Sequence, residues 1–380
     1  MSNVLTNLAA DLYKAADVVG RELVGFIPAS TINADGSERV AKGDTVRASF
    51  TREASAVDVS ESMTTPEGAD QTVDSKTLSI TKSRAVQIPY TGEDQRHLNN
   101  GIGFETVYGD QVAQAMRTLT NEIEYDIAVE AYKNASRAFG TAGTTPFGSS
   151  FSEVAEVRQI LADNGMPTND GQASIVMNTL AGTNLRQLAQ LQKANESGSD
   201  SMLRQGVLLD LQGLGLRESA GIQSHIAGTG ASYVANGAVA KGGKIITLDG
   251  GSGTVLAGDV VTFAGDTNKY VVNEALSGGD IVLAGPGLQA ALADDAAMTV
   301  GNAYTGNVAF HRRAIELAIR PPAVPSGGDS ADDAMLIQDP HSGLVFEVRV
   351  YKGYRKTMIE VAVAWGVKAW KPEYIATLLG

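Results

Sequence analysis

Cysteine is absent from this 380-residue chain, tryptophan occurs twice and histidine four times. The first absence removes structural disulfides, thiolate metal sites and a cysteine nucleophile, and a reducing cytoplasm is the expected setting. His97, His225, His311 and His341 lie far apart, with no HExxH and no two-His-one-carboxylate spacing. Each therefore reads as a surface or packing residue. Charge is sparse at 19% of residues, and acids outnumber bases 43 to 30, for a formal net charge of −13. A surface of that sign does not serve chiefly to neutralise phosphates, which argues against tight sequence-specific DNA binding. No apolar run approaches the ~20 residues that a membrane-spanning helix needs. The first residues, Met1-Ser2-Asn3-Val4-Leu5, lack the basic stretch and apolar run of a signal peptide. Gly213-Leu214-Gly215 and Gly228-Thr229-Gly230 do not complete a GxGxxG fingerprint, and there is no Walker motif and no GxSxG elbow. The expectation is a soluble protein that is not an enzyme, with no catalytic, cofactor-binding or metal-ligating residues.

What is present is 43% hydrophobic residues and 42 glycines, enough apolar material for a substantial core and enough turn formers for many strands. Leu5, Leu8, Leu12, Ala15 and Val19 are spaced as one face of a helix over 4–24, with Asp11, Asp17 and Glu22 on other faces. Asn33-Ala34-Asp35-Gly36 is a turn signal, and Lys42-Gly43-Asp44 announces a strand over 45–50. Two alternating segments, 55–59 and 77–81, flank an acidic tract at 61–74 and predict a long hairpin with a polar tip. A two-stranded hairpin is marginal unless something packs against it. Val112, Met116, Leu119, Ile123, Ile127 and Ala131 predict a helix over 104–136, ended by the glycine-rich stretch 139–146. Its length of ~45 Å is large for a globular domain. An α/β segment follows, with helices from Ser152 to Gly165 and over 181–194 on either side of a buried strand at 173–178. From Ala227 to Thr305 the pattern turns to short strands, among them 260–263, 269–272, 281–283 and 298–300. The final stretch predicts a hairpin, 346–350 with 359–363, around Lys352-Gly353-Tyr354-Arg355. The acid pairs Asp294-Asp295 and Asp332-Asp333 and the 61–74 tract have nothing to fix their geometry and read as solvated faces or subunit contacts.

The order of these elements resembles the HK-ninety-seven-type capsid fold of tailed phages, and most of all the P-twenty-two-like coat proteins, which carry an inserted β domain. The residues that carry the likeness are Val40-Ala41-Lys42-Gly43-Asp44-Thr45-Val46, Leu203-Arg204-Gln205-Gly206, Gly258-Asp259-Val260-Val261-Thr262-Phe263-Ala264-Gly265, Asn307-Val308-Ala309-Phe310-His311-Arg312-Arg313-Ala314 and Ala364-Trp365-Gly366-Val367-Lys368-Ala369-Trp370-Lys371-Pro372-Glu373. They are spread over nearly the whole chain. The resemblance implies an α+β fold: an N-terminal helix and arm (1–50), an E-loop hairpin (51–92), a P-domain with the spine helix at 104–136 (93–149) and a first part of the A-domain (150–226). An inserted small β-barrel (227–305), an A-domain return (306–335) and a C-terminal P-domain hairpin and tail (336–380) complete it.

It implies a major capsid protein that assembles with itself, as pentamers and hexamers, into an icosahedral head around double-stranded DNA without sequence-specific binding. A scaffolding protein and a portal would be its assembly partners in the host cytoplasm, no cofactor or membrane would be involved, and the virion would be its final location. Glu61, Glu67, Asp70 and Asp74 are the expected inter-subunit residues of the E-loop, meeting basic groups on a neighbour's spine helix. Asp11, Asp17 and Glu22 either dock the scaffold or form a solvated helix face. Covalent cross-linking through Lys76 or Lys82 is not expected. The alternatives are another β-rich phage or surface-layer structural protein and, from a different class, an α/β enzyme with a β appendage.

Overall fold

A computed structural model describes residues 25–49, 75–99, 104–188, 210–338 and 343–380, with residues 58, 59, 61, 63 and 64 between the first two spans. The predicted helix over 4–24 and residues 203–209 lie outside the described residues, while the helix predicted over 181–194 is Thr179–Gln187, ended where Leu188 turns extended.

Among the described residues the fold is mixed α+β, with two large sheets joined by one long helix, Phe104–Lys133, and a third sheet of two strands. Val112, Ala115, Met116, Leu119, Ile123, Ile127, Ala128 and Ala131 make its buried stripe, at the three- and four-residue spacing that places side chains on one helical face. The helix stops three residues before the predicted end at Ser136. The Asn134 amide turns back to the carbonyl of Glu130 (2.8 Å), and the Ser136 N–H bonds the Ile375 carbonyl (2.8 Å). Tertiary pairing thus captures the chain, and Arg137–Phe139 becomes a short strand.

The first sheet runs in the order Thr31–Ala34, Ile315–Arg320, Lys356–Ala369, Val345–Gly353, Ala331–Gln338, with Lys82–Thr91 along the other edge of Lys356–Ala369. The predicted final hairpin forms its centre, with Gly353 opposite Lys356. The second sheet has Arg137–Phe139, Ile375–Leu379, Tyr304–His311, Ala173–Asn178 and Leu214–Ser219 side by side. The segment 306–335 therefore divides: Tyr304–His311 belongs to the second sheet, while Ile315–Arg320 and Ala331–Gln338 belong to the first. A single turn of 3-10 helix, Arg312–Ala314, carries the chain between them.

The β-rich stretch contains Val260–Phe263 paired with Lys269–Ser277, and Met298–Val300 paired with Val260–Phe263. It has a core of its own, including Tyr233, Ile246, Phe263, Tyr270, Ile281 and Met298. Its sheet also continues into the second sheet, since Lys269 and Tyr270 pair with Ala138 and Arg137.

The predicted 77–81 strand is present as Ser75–Ser79, and its partner is Thr45–Ser49, with Thr45 opposite Ser79 and Ser49 opposite Ser75. Residues 55–57 of the expected partner at 55–59 lie outside the described residues, and 45–49 is the segment seated on the core. Val46, Leu78 and Ile80 bury against Val40, Ala318 and Ala364. The N–H of Ile80 bonds the Asp44 carbonyl (2.8 Å), that of Gly43 bonds the Ile80 carbonyl (2.9 Å), and that of Thr81 bonds the Trp365 carbonyl (3.0 Å). The seat has room for no side chain at Gly366, where a Cβ would stand 2.1 Å from the Ser79 carbonyl oxygen and 2.8 Å from Leu78 Cδ2. Replacing Gly366 by alanine should therefore lift the stem, at a cost of about 1–3 kcal/mol for an overpacked contact. The check is a lowered denaturant midpoint, together with faster protease cleavage between residues 45 and 81 than in the wild type.

Candidate functional site

Three clusters in the described residues place polar side chains where the chain needs them. The first ties the hairpin stem to the long helix. Trp365 is fully buried and donates its indole N–H to Asp126 Oδ2 (2.8 Å), while Asp126 Oδ1 takes the Lys82 ammonium (2.7 Å). Lys82 opens the strand that follows the stem, so one carboxylate on the helix holds both the strand and the sheet beneath it. Lys76, on the stem itself, lies over the ring of Trp370 at 5.5 Å.

The second cluster holds the start of the described chain. Glu124, 2% exposed on the buried stripe of the helix, accepts the N–H groups of Gly25 (2.7 Å), Phe26 (2.8 Å) and Ile27 (3.0 Å). Without a carboxylate these three amides would be buried donors lacking an acceptor. Burial pushes the Glu124 carboxyl above the usual range, against the hydrogen bonds from Phe26, Ser219, Ile27 and Gly25 that favour its charged form. The passage is narrow, since a Cβ at Gly25 would meet Val176 Cγ1 at 2.5 Å and the Glu218 carbonyl oxygen at 2.8 Å. The described chain therefore begins at one fixed point beside the helix.

The third cluster sits at the neck of the β-rich stretch. His225 Nε2 meets Asp259 Oδ1 at 2.8 Å, and Asp259 also accepts the N–H groups of Leu256 (2.7 Å) and Gly228 (3.0 Å). Tyr132 of the long helix and Tyr304 flank the imidazole at ring-centroid distances of 5.4 and 5.3 Å. Tyr304 donates to the Gly258 carbonyl (2.7 Å), and burial followed by the neighbouring Tyr132 and Asp259 raises its hydroxyl. Both ends of the stretch are pinned here. His311 likewise has a carboxylate partner, Asp170 (2.8 Å), whose own carboxyl is held low by that hydrogen bond.

Among the described residues no group of three or more His, Asp or Glu stands close enough to hold a metal ion. A cleft of about 480 Å³ is lined by Arg137, Glu156, Gln159, Asp163, Asn268 and Lys269. Its two cations are already engaged: Arg137 donates to Asn268 Oδ1 (3.0 Å) and Lys269 to the Gly140 carbonyl. None of the described helices is long and apolar enough to cross a membrane.

Of the residues singled out from the sequence, Glu61 is exposed, while Glu67, Asp70, Asp74, Asp11, Asp17 and Glu22 lie outside the described residues. Glu124 and Asp126 were missed, and Glu124 had a signal. It falls on the apolar face between Ile123 and Ile127, where a carboxylate needs partners.

No family model and no curated protein matches the chain. Solved structures do resemble it at low identity. A structure of Mycobacterium phage Che8 is 14% identical, with a TM-score of 0.47, over 89% of this chain and 85% of that one. The capsid of the cyanophage P-SCSP1u is 10% identical, with a TM-score of 0.48, over 92% and 86%. A virus-like particle from Pyrococcus furiosus is 8% identical, with a TM-score of 0.46, over 98% and 100%.

The raised carboxyl of Glu124 has a definite pH signature. A fold that favours the protonated form is penalised as pH rises through the raised value, and the penalty vanishes as pH falls below the ordinary glutamate range. The melting temperature of Glu124→Gln, whose side chain stays neutral, should therefore gain on the wild type between pH 4 and pH 7.5. Calorimetry across that range checks it, and Glu124→Ala should lose about 1–3 kcal/mol at every pH because the amides of residues 25–27 lose their acceptor.

Proposed function

We propose that this chain is the major capsid protein of a tailed phage, of the HK-ninety-seven type and closest to the P-twenty-two-like coat proteins. The observation that carries the reading is the seating of the hairpin. Five residue pairs, Thr45–Ser49 with Ser75–Ser79, root an intervening segment of 25 residues on a small apolar patch, and among the described residues they form a sheet of two strands. A two-stranded arm has too little core to stand alone in water, and a neighbouring subunit supplies the missing surface.

The rest of the chain suits a shell subunit. The long helix spans both sheets as a rigid spine, residues 25–27 are fixed beside it, and the β-rich stretch has its own core, which supports the reading of an inserted β domain over 227–305. One subunit must occupy slightly different positions in rings of five and six, which heterologous contacts between neighbouring copies provide. In this reading the acids Glu61, Glu67, Asp70 and Asp74 contact the adjacent subunit. Asp11, Asp17 and Glu22 dock a basic scaffolding protein, and the finished shell encloses double-stranded DNA without reading its sequence. A portal completes the head, assembly takes place in the host cytoplasm, and the virion is the destination.

Expression with the neighbouring gene products should give uniform closed shells by sedimentation and negative-stain microscopy; a chain that stays monomeric under all these conditions would overturn the reading. Deleting residues 63–72 should abolish closure while leaving the circular dichroism spectrum and melting temperature of the subunit unchanged. Reversing Asp11, Asp17 and Glu22 to lysine should stop scaffold-directed assembly without impairing folding, as judged by procapsid yield.

A further inference from the structure

At the turn Arg312–Ala314 the chain crosses from Tyr304–His311 in the second sheet to Ile315–Arg320 in the first. The turn is tied on both sides, since the Arg312 N–H bonds the Gln172 carbonyl (3.0 Å) and the Trp370 N–H bonds the Ala314 carbonyl (2.8 Å). His311 closes it. Its imidazole is 1% exposed, and both ring nitrogens are taken. Nδ1 accepts the backbone N–H of Arg313 (3.1 Å) and so caps the turn. A backbone amide only donates, so Nδ1 has no proton. The one proton of the neutral ring is therefore on Nε2, which donates to Asp170 Oδ2 (2.8 Å). A charged ring has a proton on each nitrogen, and its Nδ1–H would face the Arg313 N–H, donor against donor.

The surroundings decide which form the closed turn holds. Asp170, in the loop before Ala173–Asn178, favours a charged ring, but its side chain is 34% exposed and water screens the attraction. Arg312 and Arg313 stand exposed on the turn itself, and the Arg312 guanidinium is turned to the Ser30 carbonyl (3.3 Å). From the last turn of the chain Tyr374 packs edge-on against the imidazole at 6.1 Å, with the Lys371 ammonium 4.9 Å over the tyrosine ring. Three cations and a lost backbone bond thus oppose one screened carboxylate.

We propose that His311 is an acid-sensitive latch on the crossover between the two sheets, holding the turn closed while its ring is neutral and releasing it when Nδ1 takes up a proton. The latch belongs to the folded subunit, whether or not copies of it assemble. Its direction follows from proton linkage: the closed turn holds one proton fewer than the open one, so closure is complete at high pH and weakens as pH falls through the imidazole range.

Amide hydrogen exchange of the full chain from pH 7.5 to 5.5, corrected for the intrinsic pH dependence of exchange, tests this. A peptide containing the Arg313 amide should lose protection by about tenfold per pH unit once the open form is charged, while Ala173–Asn178 keeps its own. His311→Asn places an acceptor where Nδ1 stands and has nothing to titrate, so its protection should stay level throughout. His311→Gln keeps a donor toward Asp170 without the cap and should exchange quickly at every pH. Asp170→Asn, at an exposed carboxylate, removes the charge that favours imidazolium, and the loss of protection should move to lower pH. Level protection in the wild type would overturn the proposal. So would a loss in His311→Asn as large as the wild type's, or a loss in Asp170→Asn at the same or higher pH.

Discussion

Trp365 lies buried between the long helix and the first sheet, and its bond to Asp126 makes the packing of those two layers specific. Apolar burial alone would let the helix slide along the sheet, because Val361, Val363 and their neighbours offer much the same surface at each step. The indole N–H and the Lys82 ammonium converge on one carboxylate and fix a single register. The cost of partly burying the carboxylate is offset by its two hydrogen bonds, to the indole N–H and to the ammonium. The stem follows from that register: Thr81 bonds the Trp365 carbonyl, and Gly366 clears the space that Ser79 occupies.

The same device recurs along the helix with different cargo. Glu124 captures the amides that begin the described chain, Asp126 captures the sheet, and Glu130 accepts the N–H of Ala369 (3.1 Å). Tyr132 completes the pocket at the neck of the β-rich stretch. Four side chains in nine residues thus tie the spine to the start of the described chain, the first sheet and the neck of the β-rich stretch.

Much of the fold was legible because its signals are local. The apolar period of the long helix located it to within three residues, the alternation at 346–350 and 359–363 lies inside the two strands observed, and Ala173–Asn178 was read with its observed limits. Short strands with no period of their own were not legible. Arg137–Phe139 looks like a helix end until Lys269–Ser277 and Ile375–Leu379 take it on both sides. Thr31–Ala34 pairs in parallel with Ile315–Arg320 across nearly the whole chain, and no local pattern marks a partner at that distance. The pairing of Thr45–Ser49 with Ser75–Ser79 was not legible for the same reason, since the seat on Ala318 and Ala364 that holds it lies far along the chain.

By itself, the sequence determined the element types, the absence of thiol chemistry and of nucleotide-binding motifs, and the acidic character of the hairpin segment, since each depends on residue identity or on spacing within one segment. The tertiary structure decided which strands pair, that Glu124 is a buried anchor on an apolar stripe, and that Asp170 meets His311 at the crossover between the sheets. Those facts arise from residues brought together across tens to hundreds of positions, where the energy of contact and not the local pattern selects the partner.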